Sequence, residues 1–335
     1  MPVGASDPFF IVGNDRSGTT MLRLILDRGP DVAIPPESMF LTDLAAAFDE
    51  GVPADEAAAR QLAEQVWNHP KVRLWQLPGA PPRVPPGLVA QDAYRLIAEA
   101  PFNAYAARHG KARWGDKTPH YVHHVDHLLR VWPRARFVVL VRDGRDVALS
   151  LRRMPFGPNN AWAAAQWWAR GIRAGERAQR EHAGAVLTAR YEDLARDPER
   201  EVPRICDFLG LTYTPEMLAL ERADRSKIVP EQASWFPTIF DGINTHAVGR
   251  WQREMSPRDQ RLFAALAGPE LARLGYDVAA QPATDPSPLQ QRWFHYHNEL
   301  MRNINFLRLR LVQERGRELG LALRRRLRDP VKRAG

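Results

Sequence analysis

A single cysteine in 335 residues excludes an internal disulfide framework. Cys206 sits among Ile205, Phe208 and Leu209, a pattern that predicts a buried, inert thiol. No run of 18 apolar residues occurs, so no membrane-spanning helix is expected. The opening MPVGASDPFF has neither the basic segment nor the long apolar core of a secretory signal, and the cytoplasm is the expected compartment. Internal repeats and low-complexity blocks are missing as well. So is net charge over most of the chain. Eleven Arg and Lys stand against three acids between Arg302 and Gly335, and this net of eight positive charges equals the formal charge of the whole protein, +8. The basic excess therefore describes a tail and not a nucleic-acid-binding domain, and no nucleic acid partner is expected.

What remains is a globular composition, 44% hydrophobic and 26% charged, on a chain long enough for one large α/β domain with insertions or for two domains. The rest of the chain is organised around Phe9–Leu26, FFIVGNDRSGTTMLRLIL. Phe9–Val12 is a short apolar run of buried-strand type, Gly13 and Gly18 bracket a polar turn, and Met21–Leu26 continues at helical spacing. Strand, glycine-bounded loop and helix start form the geometry of a phosphate cradle, in which backbone N–H groups point at an anion. Thr19 and Thr20 add hydroxyls and Arg16 a full positive charge. The spacing fits G-x-x-x-x-G, but Thr19 stands where nucleoside triphosphatases require Lys, which counts against an ordinary ATPase or kinase.

Further strands are expected at Val32–Ile34, Arg136–Val141 and Val186–Ala189, and helices at Leu41–Trp67 (interrupted at Gly51–Pro53), Gln91–Arg108 (broken at Pro101), Val122–Trp132, Val147–Arg153, Asn160–Glu181, Asp197–Leu209 and Gln260–Leu274. Trp114–Pro119 reads as a polar turn, and Arg222–Gly249 as an irregular active-site loop. Strands separated by helices predict a parallel sheet wrapped on both faces, with ligands beyond the carboxyl ends of the strands. The turns after Val12, Val141 and Ala189 all fall at that edge. The expected division is one domain over 1–280, with a helical insertion at about 41–112, then a linker and basic helical tail over 281–335.

The string Arg16-Ser17-Gly18-Thr19-Thr20 resembles the 5′-phosphosulfate loop of sulfotransferases that use 3′-phosphoadenosine 5′-phosphosulfate (PAPS). In the same order and at family-like distances follow Glu37 in Pro35-Pro36-Glu37-Ser38, Lys117 in Asp116-Lys117-Thr118-Pro119, and Arg142 with Ser150 in VVLVRDGRDVALSL. The motifs are closest to tyrosylprotein sulfotransferases and their bacterial relatives, over about Phe9 to Leu274. The resemblance implies an α/β fold with a P-loop-NTPase-like parallel sheet flanked by helices, and PAPS as cosubstrate with PAP as product. It implies that Ser17, Gly18, Thr19 and Thr20 hold the 5′-phosphate and that Arg142 and Ser150 hold the 3′-phosphate. Glu37 is then the general base, with Lys117 and Arg16 stabilising the leaving charge. Tyr191 and Arg250, the latter in Gly249-Arg250-Trp251, resemble secondary positions around the nucleotide. Each residue also has a plainer reading: a solvated Arg142–Asp146 turn, a surface or capping Glu37, a surface Asp116–Lys117 turn, core packing for Tyr191. Asn14-Asp15 departs from the family, which usually has Pro before the Arg, and sets a negative charge beside an anion site.

His120, His123 and His124 are expected to be structural or rim residues, because Glu37 takes the base's place. The spacing of His123, His124 and His127 lacks a matching acid–His pattern, and no metal is expected. The tail places Leu300, Ile304, Leu307, Leu311, Leu319, Leu323 and Leu327 at helical spacing with Arg on other faces. That suits peripheral contact with an anionic membrane, or a helix packed on the domain. The acceptor is a hydroxyl on a carbohydrate, lipid, peptide tyrosine or natural product, with Trp75, Trp114, Trp162, Trp167, Trp168, Trp235 and Phe236 as pocket or core residues. A kinase-like phosphotransferase using Mg-ATP, or a non-catalytic nucleotide-binding protein docked on a membrane, would fit the same loop.

Overall fold

Strand β1 (Phe9–Gly13) is apolar at four consecutive positions because both of its faces are buried. Phe9 and Ile11 point into one core with Leu22, Ile25, Val138, Leu194 and Ile205. Phe10 points to the other, stacked on Phe137 at 5.0 Å between centroids and edge-on to Trp114 at 6.1 Å. The computed structural model describes residues 7–44, 56–88, 90–152, 154, 156–236, 238–278 and 286–328, with the side chains of 90, 231, 232, 234 and 309–328 excepted.

Five strands make one parallel sheet in the order β2-β3-β1-β4-β5, with β2 at Val32–Ala33, β3 at Arg113–Lys117, β4 at Arg136–Val141 and β5 at Val186–Arg190. Strand β3 corrects the sequence reading, which took Trp114–Pro119 for a polar turn. Its Gly-Asp-Lys end hides the apolar run by which a buried strand is recognised. Phe9 lies opposite Gly115 and Ile11 opposite Lys117, so β3 delivers Lys117 to the carboxyl edge of the sheet. The helices are α1 (Thr19–Asp27), α2 (Phe40–Asp43), α3 (Glu56–Trp67), α4 (Pro70–Arg73), α5 (Ala90–Arg108), α6 (Val125–Val131), α7 (Gly144–Leu151), α8 (Ala161–Glu181), α9 (Tyr191–Arg196), α10 (Pro198–Leu209), α11 (Trp251–Glu254), α12 (Pro257–Arg273) and α13 (Pro288–Arg328). Helix α5 runs on through Pro101 instead of breaking there. The expected interruption at Gly51–Pro53 and most of the linker from Gln281 lie outside the described residues.

By contacts the chain forms two compact units, 1–143 with 169–250, and 144–168 with 251–335. The first holds the whole sheet. In the second, Trp168 packs on Phe263 at 5.8 Å, Arg145 lies 3.5 Å from the Trp251 ring, and Asp146 Oδ1 accepts the Trp251 N–H at 2.8 Å. The turn around Arg145 and Asp146 is therefore buried and not a solvated ion-pair turn. Among the described residues, no helix is long and apolar enough to cross a membrane.

Candidate active site

The loop after β1 is forced into its shape by its two glycines. Gly13 has φ +144° and runs so close to β4 that a Cβ would stand 2.4 Å from the Leu140 carbonyl oxygen. Gly18 has φ +92° and faces the Tyr191 ring, where a Cβ would approach within 2.4 Å. Helix α1 starts immediately after, with no side chain capping its first N–H groups and no acid in its first turn. Those N–H groups and the dipole behind them form the positive end of the cradle. The Ser17 hydroxyl is buried and has no hydrogen-bond partner among the described residues. Thr19 and Thr20 are buried at the same helix end.

Arg16 takes a left-handed backbone, φ +68°, unusual for a side-chain-bearing residue. Arg142, leaving β4, holds it there by donating from Nη1 to the Arg16 carbonyl at 2.9 Å. Arg142 Nη2 donates to the Ala247 carbonyl at 2.5 Å, and its guanidinium lies 4.6 Å from the centre of the Tyr191 ring. The sheet edge thus brings Arg16, Gly18, Arg142 and Tyr191 together. The Arg16 guanidinium donates to the Trp235 carbonyl at 2.7 Å and covers the Phe236 ring at 4.7 Å. Burial first, then the neighbouring charge of Arg142, lowers Arg16 to about 10. Ser150 lies two turns into α7, half-buried, in the second unit. Arg250 is half-buried at the end of the first.

Glu37 and Lys117 meet. The Lys117 ammonium donates to Glu37 Oε1 at 2.5 Å, with Lys117 nearly buried and Glu37 partly open. Burial alone would raise the Glu37 carboxyl. The charge and hydrogen bond of Lys117, with Lys71 and Arg23 behind them, outweigh it and hold Glu37 below the ordinary carboxylate range. Two anchors fix the backbone carrying Glu37. Before it, buried Arg23 donates to the Ile34 carbonyl at 3.1 Å. After it, the Ser38 N–H donates to Thr118 Oγ1 at 3.2 Å, and the Ser38 and Tyr121 hydroxyls bond at 2.8 Å. Asp15 is half-buried, and burial and then Glu37 raise its carboxyl to about 6, against the lowering effect of Lys117 and Arg16. Asp116 is fully buried near the Thr118 and Ser38 hydroxyls, and burial pushes it to about 7.

Several of these partners carried no signal in the sequence. Trp235 and Ala247 act through backbone carbonyls, which every residue has. Glu192, which accepts the Asp143 N–H at 2.9 Å, and the Ser38–Thr118–Tyr121 hydroxyls are recognisable only once the strands are placed. Trp75, Trp114 and Trp168 are buried core residues. Among the histidines, His120 and His124 bring their Nε2 atoms to 3.4 Å on the turn after Lys117, but His123, His124 and His127 do not converge as a ligand set. Among the described residues the converging group is Asp126, Glu181 and His182, exposed or half-exposed, with Arg177 within 4.0 Å of both carboxylates.

The family model described as the Sulfotransferase family matches residues 8–215, which include the phosphate loop, Glu37, Lys117, Arg142, Ser150 and Tyr191. The chain is 25% identical over 293 residues to protein-tyrosine sulfotransferase 1 of Danio rerio, covering 84% of this chain and 76% of that protein. It is 25% identical over 302 residues to nodulation protein NoeE of Sinorhizobium fredii, covering 82% and 67%. The sulfotransferase domain of a Synechococcus olefin synthase shares the fold with a TM-score of 0.54 at 24% identity, over 81% of this chain and 96% of that domain. The parallel sheet, the loop at its carboxyl edge and the extent of the family match make this chain a member of the sulfotransferase family.

Proposed function

We propose that the protein transfers a sulfuryl group from PAPS to a phenolic hydroxyl, with Glu37 as the general base. The observation that carries this reading is the Lys117–Glu37 contact at the carboxyl edge of the sheet, since Lys117 follows directly on Asp116 in a strand paired to β1. The residues suit an anionic nucleotide: the Ser17 hydroxyl has no hydrogen-bond partner among the described residues, and the start of α1 is uncapped and free of acids. When bound, PAPS supplies a sulfuryl group joined to a phosphate leaving group. Ser17, Gly18, Thr19 and Thr20 would hold the 5′-phosphate, and Arg142, whose fork suits two phosphate oxygens, would hold the 3′-phosphate with Ser150. Tyr191 and Arg250 would border the nucleotide. Glu37 accepts the proton of the attacking hydroxyl, so one S–O bond forms as the S–O bond to the leaving phosphate breaks. Lys117 and Arg16 neutralise the charge left on that phosphate.

At rest Glu37 is a weak base, because Lys117 occupies it. A phenol, with a pKa of about 10, asks less of such a base than an alcohol does. Protein-tyrosine sulfotransferase 1 is named for a phenol-bearing acceptor, and we assign the same acceptor class here. Calorimetric titration with PAP without metal, beside ATP with Mg²⁺, tests the donor. Metal-independent PAP binding is expected, and a preference for Mg-ATP would make the protein a phosphotransferase instead. Glu37→Gln should lower turnover with tyrosine peptides by about 10²- to 10⁴-fold while PAP binding persists; near-wild-type turnover would remove Glu37 from the base's role.

A further inference from the structure

The C-terminal helix α13 carries two different faces. One is docked within the second unit: Phe294 stacks on Trp162 at 6.2 Å, Asn160 donates to the Phe294 carbonyl at 2.8 Å, and Asn305 donates to Asn159 Oδ1 at 2.7 Å. The Asn159 N–H donates to Asn298 Oδ1 at 2.8 Å on the same side. The other face is open. Leu289, Trp293, Tyr296, Leu300 and Leu307 are 77%, 58%, 60%, 44% and 59% exposed. Their steps of four, three, four and seven residues keep them on one narrow stripe of an α-helix, about 27 Å long. An apolar stripe of this length on a surface helix marks an interaction site.

We propose that this stripe, with the basic segment that follows it, docks the protein on an anionic lipid surface. The charge distribution selects this occupant. The chain before Arg302 is neutral, and the net of eight positive charges from Arg302 to Gly335 begins within the last turns of the stripe and continues beyond it. Leu, Trp and Tyr on one face followed by clustered Arg is the composition of a helix lying in the plane of a membrane interface. The apolar side chains enter the headgroup boundary and the Arg side chains meet anionic headgroups. Trp and Tyr suit that depth, being apolar in body and polar at the tip. A second copy of the chain fits less well. Two tails of like charge repel, and the same four–three register puts Asn303, Arg310 and Glu314 at seam positions that a sustained coiled coil fills with apolar residues.

The test is co-sedimentation of the full chain with vesicles of phosphatidylcholine containing phosphatidylglycerol, compared with pure phosphatidylcholine, at low and high salt. Binding is expected only to the anionic vesicles and should be lost at high salt. Replacing Arg324, Arg325 and Arg326 together by Glu should weaken it by about a hundredfold or more. Trp293→Glu with Leu300→Glu, both exposed and outside the sheet-edge site, should weaken it at least tenfold without changing PAP binding or the melting temperature. Equal binding to neutral vesicles, no vesicle binding, or variants that bind as the parent does would overturn the proposal. So would a dimer that Trp293→Glu dissociates in a protein indifferent to vesicles.

Discussion

Two regions of the first unit converge on Arg16, and they hold it by different means. At the strand ends the work is done by side chains in fixed positions: Arg142 reaches from β4 to the Arg16 carbonyl, and the Tyr191 ring, at the start of α9, fills the space beside Gly18. In the irregular segment 211–249 the contributions to Arg16 are the Trp235 carbonyl and the face of Phe236, while the Ala247 carbonyl holds Arg142 in turn. That segment has short 3₁₀ turns, but it is anchored, since Phe236, Ile239, Phe240 and Ile243 pack on the sheet's core. The strand ends set where the charges are. The irregular segment sets what surrounds them. Damage to the first region should therefore cost fold and donor binding together, whereas damage to the second should change affinity alone.

The largest expected effect is Gly13→Ala. The new methyl would meet a backbone oxygen of β4, which cannot swing aside as a side chain can, at a φ that alanine rarely adopts. A loss of about 3 kcal/mol or more is expected in denaturant unfolding. A loss under about 1 kcal/mol would mean that the loop is not held by β4. Next is Arg142→Ala, which removes donors to two backbone carbonyls and the contact with Tyr191. The two charge-assisted hydrogen bonds proposed from its fork to the 3′-phosphate contribute roughly 1.5–3 kcal/mol each, so donor affinity should fall by at least about a hundredfold. PAP titration reads this directly, and an unchanged dissociation constant would reduce Arg142 to a structural strut.

The same contrast explains what the sequence disclosed. The FFIV and RFVVLV runs reveal β1 and β4 because strands buried on both faces must be continuously apolar. Arg16, Glu37, Lys117 and Arg142 could be singled out because each is a charged side chain at a motif spacing, and the structure brings Glu37 to Lys117 and Arg142 to Arg16. Strand β3 was not, since Trp114-Gly115-Asp116-Lys117 has the composition of a turn. Pairing with β2 and β1 on its two sides makes it a strand: Trp114 lies opposite Ala33 and packs on Phe102 at 4.3 Å, and Gly115 lies opposite Phe9. The Trp235 carbonyl that Arg16 reaches was illegible for a different reason, because backbone carbonyls have no sequence signature. Asp15 was legible as an oddity, but the raising of its carboxyl by burial and by Glu37 was not.

Asp15→Asn tests whether that oddity is a strain at the edge of the two regions. Burial, and then the neighbouring Glu37, raise the folded Asp15 carboxyl from its ordinary value of about 3.8 to about 6. A raised carboxyl pKa means that folding disfavours the charged form. The cost is therefore fully present above about pH 6 and absent below about 3.8. Asp15→Asn should stabilise the protein by on the order of 1–3 kcal/mol at pH 7–8, with the gain vanishing toward pH 4. It should also tighten PAP binding, because it removes a negative charge facing Arg16 and Lys117. Melting temperatures across that pH range check the sign, and a gain independent of pH would show that Asp15 is not charged against its surroundings.

The smallest effect expected is the one that decides whether the irregular segment is an equal partner. Phe236→Ala removes the ring beneath Arg16 and leaves the Trp235 carbonyl in place. A cation over an aromatic face contributes about 0.5–2 kcal/mol, depending on how far it is desolvated. Arg16 is largely buried, so about 1 kcal/mol is the expected loss, roughly fivefold in the dissociation constant for PAP. Stability should change little, since Phe236 is only partly buried. If Phe236→Ala instead matched Arg142→Ala, with a hundredfold loss, Arg16 would owe its position to the irregular segment as much as to β4. The donor site would then form only when that segment is seated.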